Sequence, residues 1–179
     1  MNWDKLFFIK IGDMMKNIII LNGAGRKNGN TASLIKAFKE GARDNSIQEF
    51  YLHDMNIKGC KGCLVCKNKG LPCVQKDDMY EIYDVFRDAD IVVFASPSYF
   101  GNISGQLKTA GDRLYAMFNS LPEEDYKKES VLLMTAGAPY YENAMFWYRI
   151  YAHMGWVSLG EVLGAGKEAE AKALGEKIK

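Results

Sequence analysis

Three apolar runs constrain the fold of this chain more than anything else in it. "KNIIILNGAG" (16–25), "IVVFASPSYFGN" (91–102) and "SVLLMTAGAP" (130–139) are continuous, not alternating, and each stops at glycine or proline. A strand wet on one face alternates apolar and polar side chains, whereas a strand covered on both faces does not. These three are therefore expected to be buried strands. "IQEFYL" (47–52) and the weaker "WVSLGEVLGAG" (156–166) read as two more. Helical spacing fills the intervals. Leu34, Ile35, Phe38 and Ala42 share a face in 30–45, and Met79, Ile82, Tyr83 and Phe86 do so in 77–90. Segments 104–121, 140–155 and 167–179 read as further helices.

Strands alternating with helices imply a parallel α/β sheet wound on both faces. Five strands at this spacing fit the flavodoxin-like order 2-1-3-4-5, a three-layer sandwich whose ligands bind beyond the carboxyl ends of the strands. Loops 23–31, 96–103 and 135–139 fall at such ends. Residues 1–14 lie outside this plan and read as an N-terminal extension to a single domain over 15–179. Met15 would serve as a natural start for that domain.

With 179 residues the chain is long enough to bury a core without staples. A net charge of +1 gives no reason to expect nucleic acid or an anionic membrane as partner. No apolar run approaches the ~18 residues of a spanning helix. The first residues carry Lys10 within a short apolar patch and lack a small-residue cleavage site. The expected compartment is the cytoplasm, where thiols stay reduced.

"NGAGRKNGNTAS" (22–33) matches neither the P-loop spacing nor the dinucleotide fingerprint. It is nonetheless suited to a phosphate. Backbone N–H groups at a helix start face an anion, Arg26 offers a bidentate fork, and Asn30, Thr31 and Ser33 add side-chain donors. An ordinary strand-to-helix turn would need the same glycines. In 95–113, Pro97 and Gly101 bracket Tyr99 and Phe100 at a strand end. The rings can stack on a planar ligand, or they can be core aromatics under a loop.

These residues resemble the NAD(P)H-dependent FMN reductases, and within them the iron–sulfur flavoproteins. The family's G-S-x-R-x-x-G-N-[ST] is matched by Gly23, Ala24, Gly25, Arg26, Lys27, Asn28, Gly29, Asn30 and Thr31. Its S-P-x-Y-x-G-[NS] is matched by Ser96, Pro97, Ser98, Tyr99, Phe100, Gly101 and Asn102. A cysteine-rich loop leads into Asp77-Asp78-Met79, and a K-x-x-x-D-R pattern follows at Lys108, Asp112 and Arg113. The resemblance spans about residues 15–175. It implies that the first loop holds an FMN phosphate and the second the isoalloxazine ring, with a third wall from Thr135, Ala136, Gly137 and Ala138. Ala24 stands where the family has serine, which throws more of the phosphate contact onto Arg26, Asn30 and Thr31.

All the cysteines of the chain lie in 59–76, spaced C-x2-C-x2-C-x6-C at Cys60, Cys63, Cys66 and Cys73. Bacterial ferredoxins use a related run for a 4Fe–4S cluster. Structural zinc more often uses two separated C-x2-C pairs, and bare thiols or a disulfide need no metal at all. The resemblance favours the cluster. Gly59, Lys61 and Gly62 can offer N–H groups to sulfur, and Lys61, Lys67 and Lys69 offset an anionic cluster.

His53 and His153 are far apart, and no acid–base set is expected, because the flavin carries the chemistry. The expected function is an FMN-dependent oxidoreductase moving electrons from NAD(P)H or ferredoxin to a small-molecule or protein acceptor. The alternatives are a plain NAD(P)H:FMN or quinone reductase and a flavin electron shuttle. Helix 140–155 reads as two apolar faces: Tyr141, Met145, Tyr148 and Ala152 on one, and Tyr140, Ala144, Trp147, Tyr151 and Met154 on the other. A second apolar face needs cover, so a homodimer or homotetramer is expected.

Overall fold

The computed structural model describes residues 15–70 and 72–179; the expected extension over 1–14 lies outside the described residues. In chain order the elements are β1 (Asn17–Asn22), α1 (Asn30–Gly41), β2 (Ser46–Tyr51), α2 (Val65–Lys69), α3 (Met79–Phe86), β3 (Ile91–Pro97), α4 (Gly105–Arg113), α5 (Tyr115–Ser120), α6 (Glu123–Tyr126), β4 (Glu129–Thr135), α7 (Glu142–His153), β5 (Val157–Leu163) and α8 (Glu168–Glu176). The five strands form one parallel sheet in the order β2-β1-β3-β4-β5, the flavodoxin-like arrangement.

The continuous runs become the three central strands, and their side chains divide between two cores. Ile19, Leu21, Val92, Phe94, Leu132 and Met134 face the side covered by α3, α4, α5 and α7. Ile18, Ile20, Ile91, Val93, Val131 and Leu133 face α1 and α8. Both edge strands are mostly wet, which explains their weaker patterns. On the first face Phe94 is ringed by Trp147, Tyr151 and Trp156. On the second, α1 and α8 cross so closely that a Cβ on Gly41 or Gly175 would overlap the backbone of the other helix.

Three expectations are corrected. The single helix over 104–121 is two, because the Arg113 carbonyl accepts from the Tyr83 hydroxyl at 2.8 Å and the Met117 N–H turns back to Leu114 instead. The cysteine-rich stretch 59–76 is not all loop, since α2 lies within it, opened by Leu64 and closed by Gly70, both in the left-handed region. In α7 the two expected faces merge into one broad buried face of Ala144, Met145, Trp147, Tyr148 and Tyr151, while Tyr140 and Ala152 are exposed. The large apolar side chains left on its outer surface are Phe146 and Ile150.

Candidate active site

The three loops expected at the strand ends converge on one cleft. β1 ends at the buried Asn22, whose Oδ1 accepts from the Ala24 N–H at 2.9 Å. The Gly23 N–H donates to the Ala95 carbonyl at 2.8 Å, and a Cβ there would overlap Ser104, so this glycine brings the two loops together. Gly29 caps α1 with no side-chain hydrogen bond, and the first turn holds no acidic residue. The Ser33 N–H bonds to the Gly29 carbonyl; the N–H groups of the turn before it open α1 with no intrahelical acceptor. The positive end of a helix of this length is therefore free to face an anion. Arg26 lies exposed at the rim beside Gly29.

Two expected donors are used otherwise. The Ser33 hydroxyl turns back to the Gly29 carbonyl at 3.4 Å. The hydroxyl of the buried Thr31 pairs with that of Thr135 at 2.7 Å and so ties the first loop to the third. Thr135 also accepts, through its carbonyl, the Ser98 N–H at 2.6 Å, which joins the third loop to the second.

The second loop is a tight reversal. Tyr99 and Asn102 exchange backbone hydrogen bonds at 2.8 and 3.1 Å, with Phe100 (φ 53°) and Gly101 (φ 76°) at the corner. Ser96 braces it, accepting from the Ser104 N–H and donating to the Pro97 carbonyl, both at 2.8 Å. Tyr99 is half exposed and Phe100 fully so, which rules out core aromatics under a loop. The cleft has a volume of about 260 Å³. It is lined by Ala24, Gly25, Arg26, Gly29, Asn30 and Thr31, by Pro97, Ser98 and Tyr99, and by Thr135, Ala136 and Gly137. The other members of the expected set lie outside this lining. Phe100 projects into solvent, Gly101 turns the corner, and Asn102 accepts the Ile103 N–H at 2.8 Å. Gly25 faces Tyr99 at close range, since a Cβ there would come within 2.7 Å of the Tyr99 hydroxyl.

The cysteine loop leaves the domain beyond β2. Cys60 and Cys63 are exposed, Cys66 and Cys73 are half-buried against the aromatic core, and all four are free. Among the described residues no three His, Cys, Asp or Glu side chains come together to hold a metal ion. The Gly62 N–H does reach the Cys60 sulfur at 3.4 Å.

Asp77, Asp78 and Arg113 are readable in the sequence only as matches to a pattern. The structure gives them a different task. The Asp78 carboxylate accepts from the Asn56 N–H at 2.7 Å and does not cap α3. Asp77 and Arg113 form an ion pair at 2.7 Å with both side chains buried. Burial pushes the Asp77 carboxyl up, but the Arg113 guanidinium and the Lys58 and Met79 N–H groups outweigh it and hold the group below the usual range. Burial, with the Asp77 charge adding to it, pushes the neighbouring Tyr83 phenol well up against the opposing pull of the Arg113 guanidinium. His53 and His153 are both exposed and stand in no ligand set. Among the described residues no helix is long and apolar enough to cross a membrane.

Known proteins resemble the chain at two levels. An iron–sulfur flavoprotein of Archaeoglobus fulgidus is 31% identical over 155 residues, covering 85% of this chain and 69% of the relative. One of Clostridioides difficile is 34% identical over 132 residues, covering 71% and 55%. Another from A. fulgidus matches over only 47% of its length, so the chain spans about half to two thirds of these curated relatives. Among solved structures, an NAD(P)H:quinone oxidoreductase from Methanothermobacter marburgensis superposes with a TM-score of 0.67 at 14% identity, over 92% of this chain and 97% of that one. An FMN-dependent NADH-azoreductase from Bacillus anthracis gives 0.62 at 16%, over 92% and 95%. These two likenesses concern the fold. The profile of the NADPH-dependent FMN reductases matches residues 16–169, and the chain belongs to that family.

Proposed function

We propose that the protein is an FMN-dependent oxidoreductase that passes electrons from NAD(P)H or ferredoxin to an acceptor, with Cys60, Cys63, Cys66 and Cys73 as ligands of a 4Fe–4S cluster. The observation that carries the flavin reading is the uncapped start of α1, facing a cleft walled by Tyr99. The residues present fit the group. Arg26, Asn30 and the N–H groups opening α1 would hold the phosphate, Gly25 admits the ring edge against Tyr99, and Thr135, Ala136 and Gly137 close the third side. Bound FMN supplies hydride acceptance and onward electron transfer. The chain's own work is to bind and orient it: the Thr31–Thr135 pair and the Ser98–Thr135 bond hold the three loops in one piece.

The cluster reading is supported by the donor set, because soft thiolates in this spacing suit iron and sulfide. A backbone N–H directed at Cys60 sulfur and the similarity to iron–sulfur flavoproteins also favour it. A cluster would supply single-electron transfer beside a two-electron cofactor. A second reading, a plain NAD(P)H:FMN or quinone reductase, is favoured by the free and ungathered cysteines. The exposed Phe146 and Ile150, one turn apart on α7, and Tyr115, which lines a groove with Ile150, offer apolar surface suited to a homodimer, and the cytoplasm is the compartment that keeps these thiols reduced.

The test is anaerobic purification followed by FMN titration, iron and sulfide assay, and NADH and NADPH oxidation with quinone or ferricyanide. Tight FMN binding with NAD(P)H turnover supports the oxidoreductase, and about four irons per chain supports the cluster. Turnover without iron after reconstitution leaves the plain reductase. FMN binding without turnover leaves an electron shuttle.

A further inference from the structure

A loop that gathers thiols must first be closed at its base. The cysteine loop departs after Lys58 and returns at Gln75, and the side chain spanning the gap belongs to neither end. It is Arg113, at the end of α4. Its Nη1 donates to the Lys58 carbonyl at 2.7 Å, and its Nη2 to the Gln75 carbonyl at 3.3 Å. The same two nitrogens engage Asp77 at 2.7 and 3.1 Å, and Asp77 accepts the Lys58 N–H at 3.0 Å. One planar fork thus satisfies both chain ends and its own counter-ion. Lysine, a point donor on a flexible stem, cannot reproduce this.

We infer that Arg113 is the positioning residue of the cysteine loop: a buried clasp that fixes the separation of Cys60 and Cys73 without touching either. Lys58 lies two residues before Cys60, and Gln75 two after Cys73, so the first and last thiols start from points held by one guanidinium. The Gln75 side chain adds a bond to the Gly59 carbonyl at 3.0 Å, and the Tyr80 hydroxyl adds one to the Cys73 carbonyl at 2.6 Å. Arg113 is only 1% exposed and takes no part in lining the flavin cleft. Beyond the neck the character changes. Gly62, Leu64 and Gly70 take positive φ, and Cys60 and Cys63 lie in solvent. A fixed neck and an adaptable tip suit thiols that must wrap around something between them. Closing the ends in advance removes loop-closure entropy from that step.

The inference rests on the proposed role of the cysteines only in its iron measurement. The main measurement uses protein with Cys63→Ser and Cys66→Ser, leaving Cys60 and Cys73. Equilibrated with glutathione, two protein thiols and one oxidised glutathione yield a protein disulfide and two reduced glutathiones, and the ratio gives the effective concentration of one thiol at the other. The clasp is removed by Arg113→Met with Asp77→Leu, which leaves no unpaired buried charge. Arg113→Lys is the second variant. The expected result is an effective concentration at least tenfold lower without the clasp and intermediate with lysine, while FMN binding and the near-UV spectrum persist. Equal effective concentrations in a folded variant overturn the inference. Iron uptake by the four-cysteine protein is measured alongside and should fall with the clasp removed. If the unaltered protein takes no iron yet the tenfold difference holds, the clasp stands and the cluster reading fails. If iron uptake and effective concentration are both unchanged, the clasp fails and the cluster stands.

Discussion

Replacing Phe100 with glycine should make the protein more stable. Phe100 adopts φ 53° at the corner of the 99–102 reversal and is fully exposed, so its ring contributes no burial to offset the conformation. A non-glycine residue in the left-handed region costs roughly 1–2 kcal/mol. Glycine removes that cost but loses more freedom on folding, which returns about 0.5–1 kcal/mol. The net gain is about 0.5–1 kcal/mol. For a chain of this length that raises Tm by about 1–4 °C. Thermal unfolding of flavin-free protein followed by far-UV circular dichroism reads it without ligand linkage. Phe100→Ala is the control: it deletes the ring, keeps the unfavourable φ, and should leave Tm nearly unchanged. A lower Tm in Phe100→Gly would refute the reasoning, because it would mean that the ring packs on the protein and stabilises the corner.

Arg26→Ala should weaken FMN by about 1.5–3 kcal/mol, the range for a hydrogen bond to a charged group, measured by flavin fluorescence titration; an unchanged dissociation constant would move the phosphate elsewhere. Asp77 has a folded pKa below its unfolded value, so its contribution to stability is full above the ordinary carboxylate pKa and is lost as pH falls through the folded one. Denaturant unfolding should accordingly show stability falling on acidification below about pH 4, and Asp77→Asn should flatten that part of the profile. Gly41→Ala should destabilise the fold by about 1–3 kcal/mol, because the added carbon meets the α8 backbone; chemical denaturation at neutral pH reads this directly. Cys60→Ser should abolish iron incorporation under anaerobic reconstitution with FMN affinity unaltered, as the cleft proposed for FMN is lined by no cysteine.

Continuous apolar runs and their glycine or proline stops were enough to place the central strands, because burial on both faces leaves no other pattern. The cleft was legible for the same reason: a parallel sheet delivers its βα loops to one edge, and Arg26, Tyr99 and Thr135 all sit on those loops. Long-range hydrogen bonding was not legible. Nothing local announces that the Tyr83 hydroxyl will capture the Arg113 carbonyl and break a helix, or that Thr31 will pair with Thr135 instead of projecting into the cleft. Asp77 reads locally as a helix-start acid, and only the fold brings Arg113 beside it. The outer surface of α7 was misassigned because helical periodicity alone cannot tell how wide a buried face is. The sheet and Trp156 together cover more of it than one stripe.

The crossing of α1 and α8 sets an order of events for the chain as it is made. α1 leaves the ribosome well before α8, the last of the described elements. Ile35 and Phe38 share their core with Ala171 and Leu174, so the early helix keeps an uncovered apolar surface until the late one arrives. The glycine contact then tolerates little error, since Gly41 and Gly175 admit each other's helix only at backbone distance. Until then proteases and chaperones would meet that side of the sheet covered by α1 alone, and release from that state depends on the nine-residue α8. A premature stop after β5 would leave every residue lining the cleft in the polypeptide and still expose the apolar face that α8 covers.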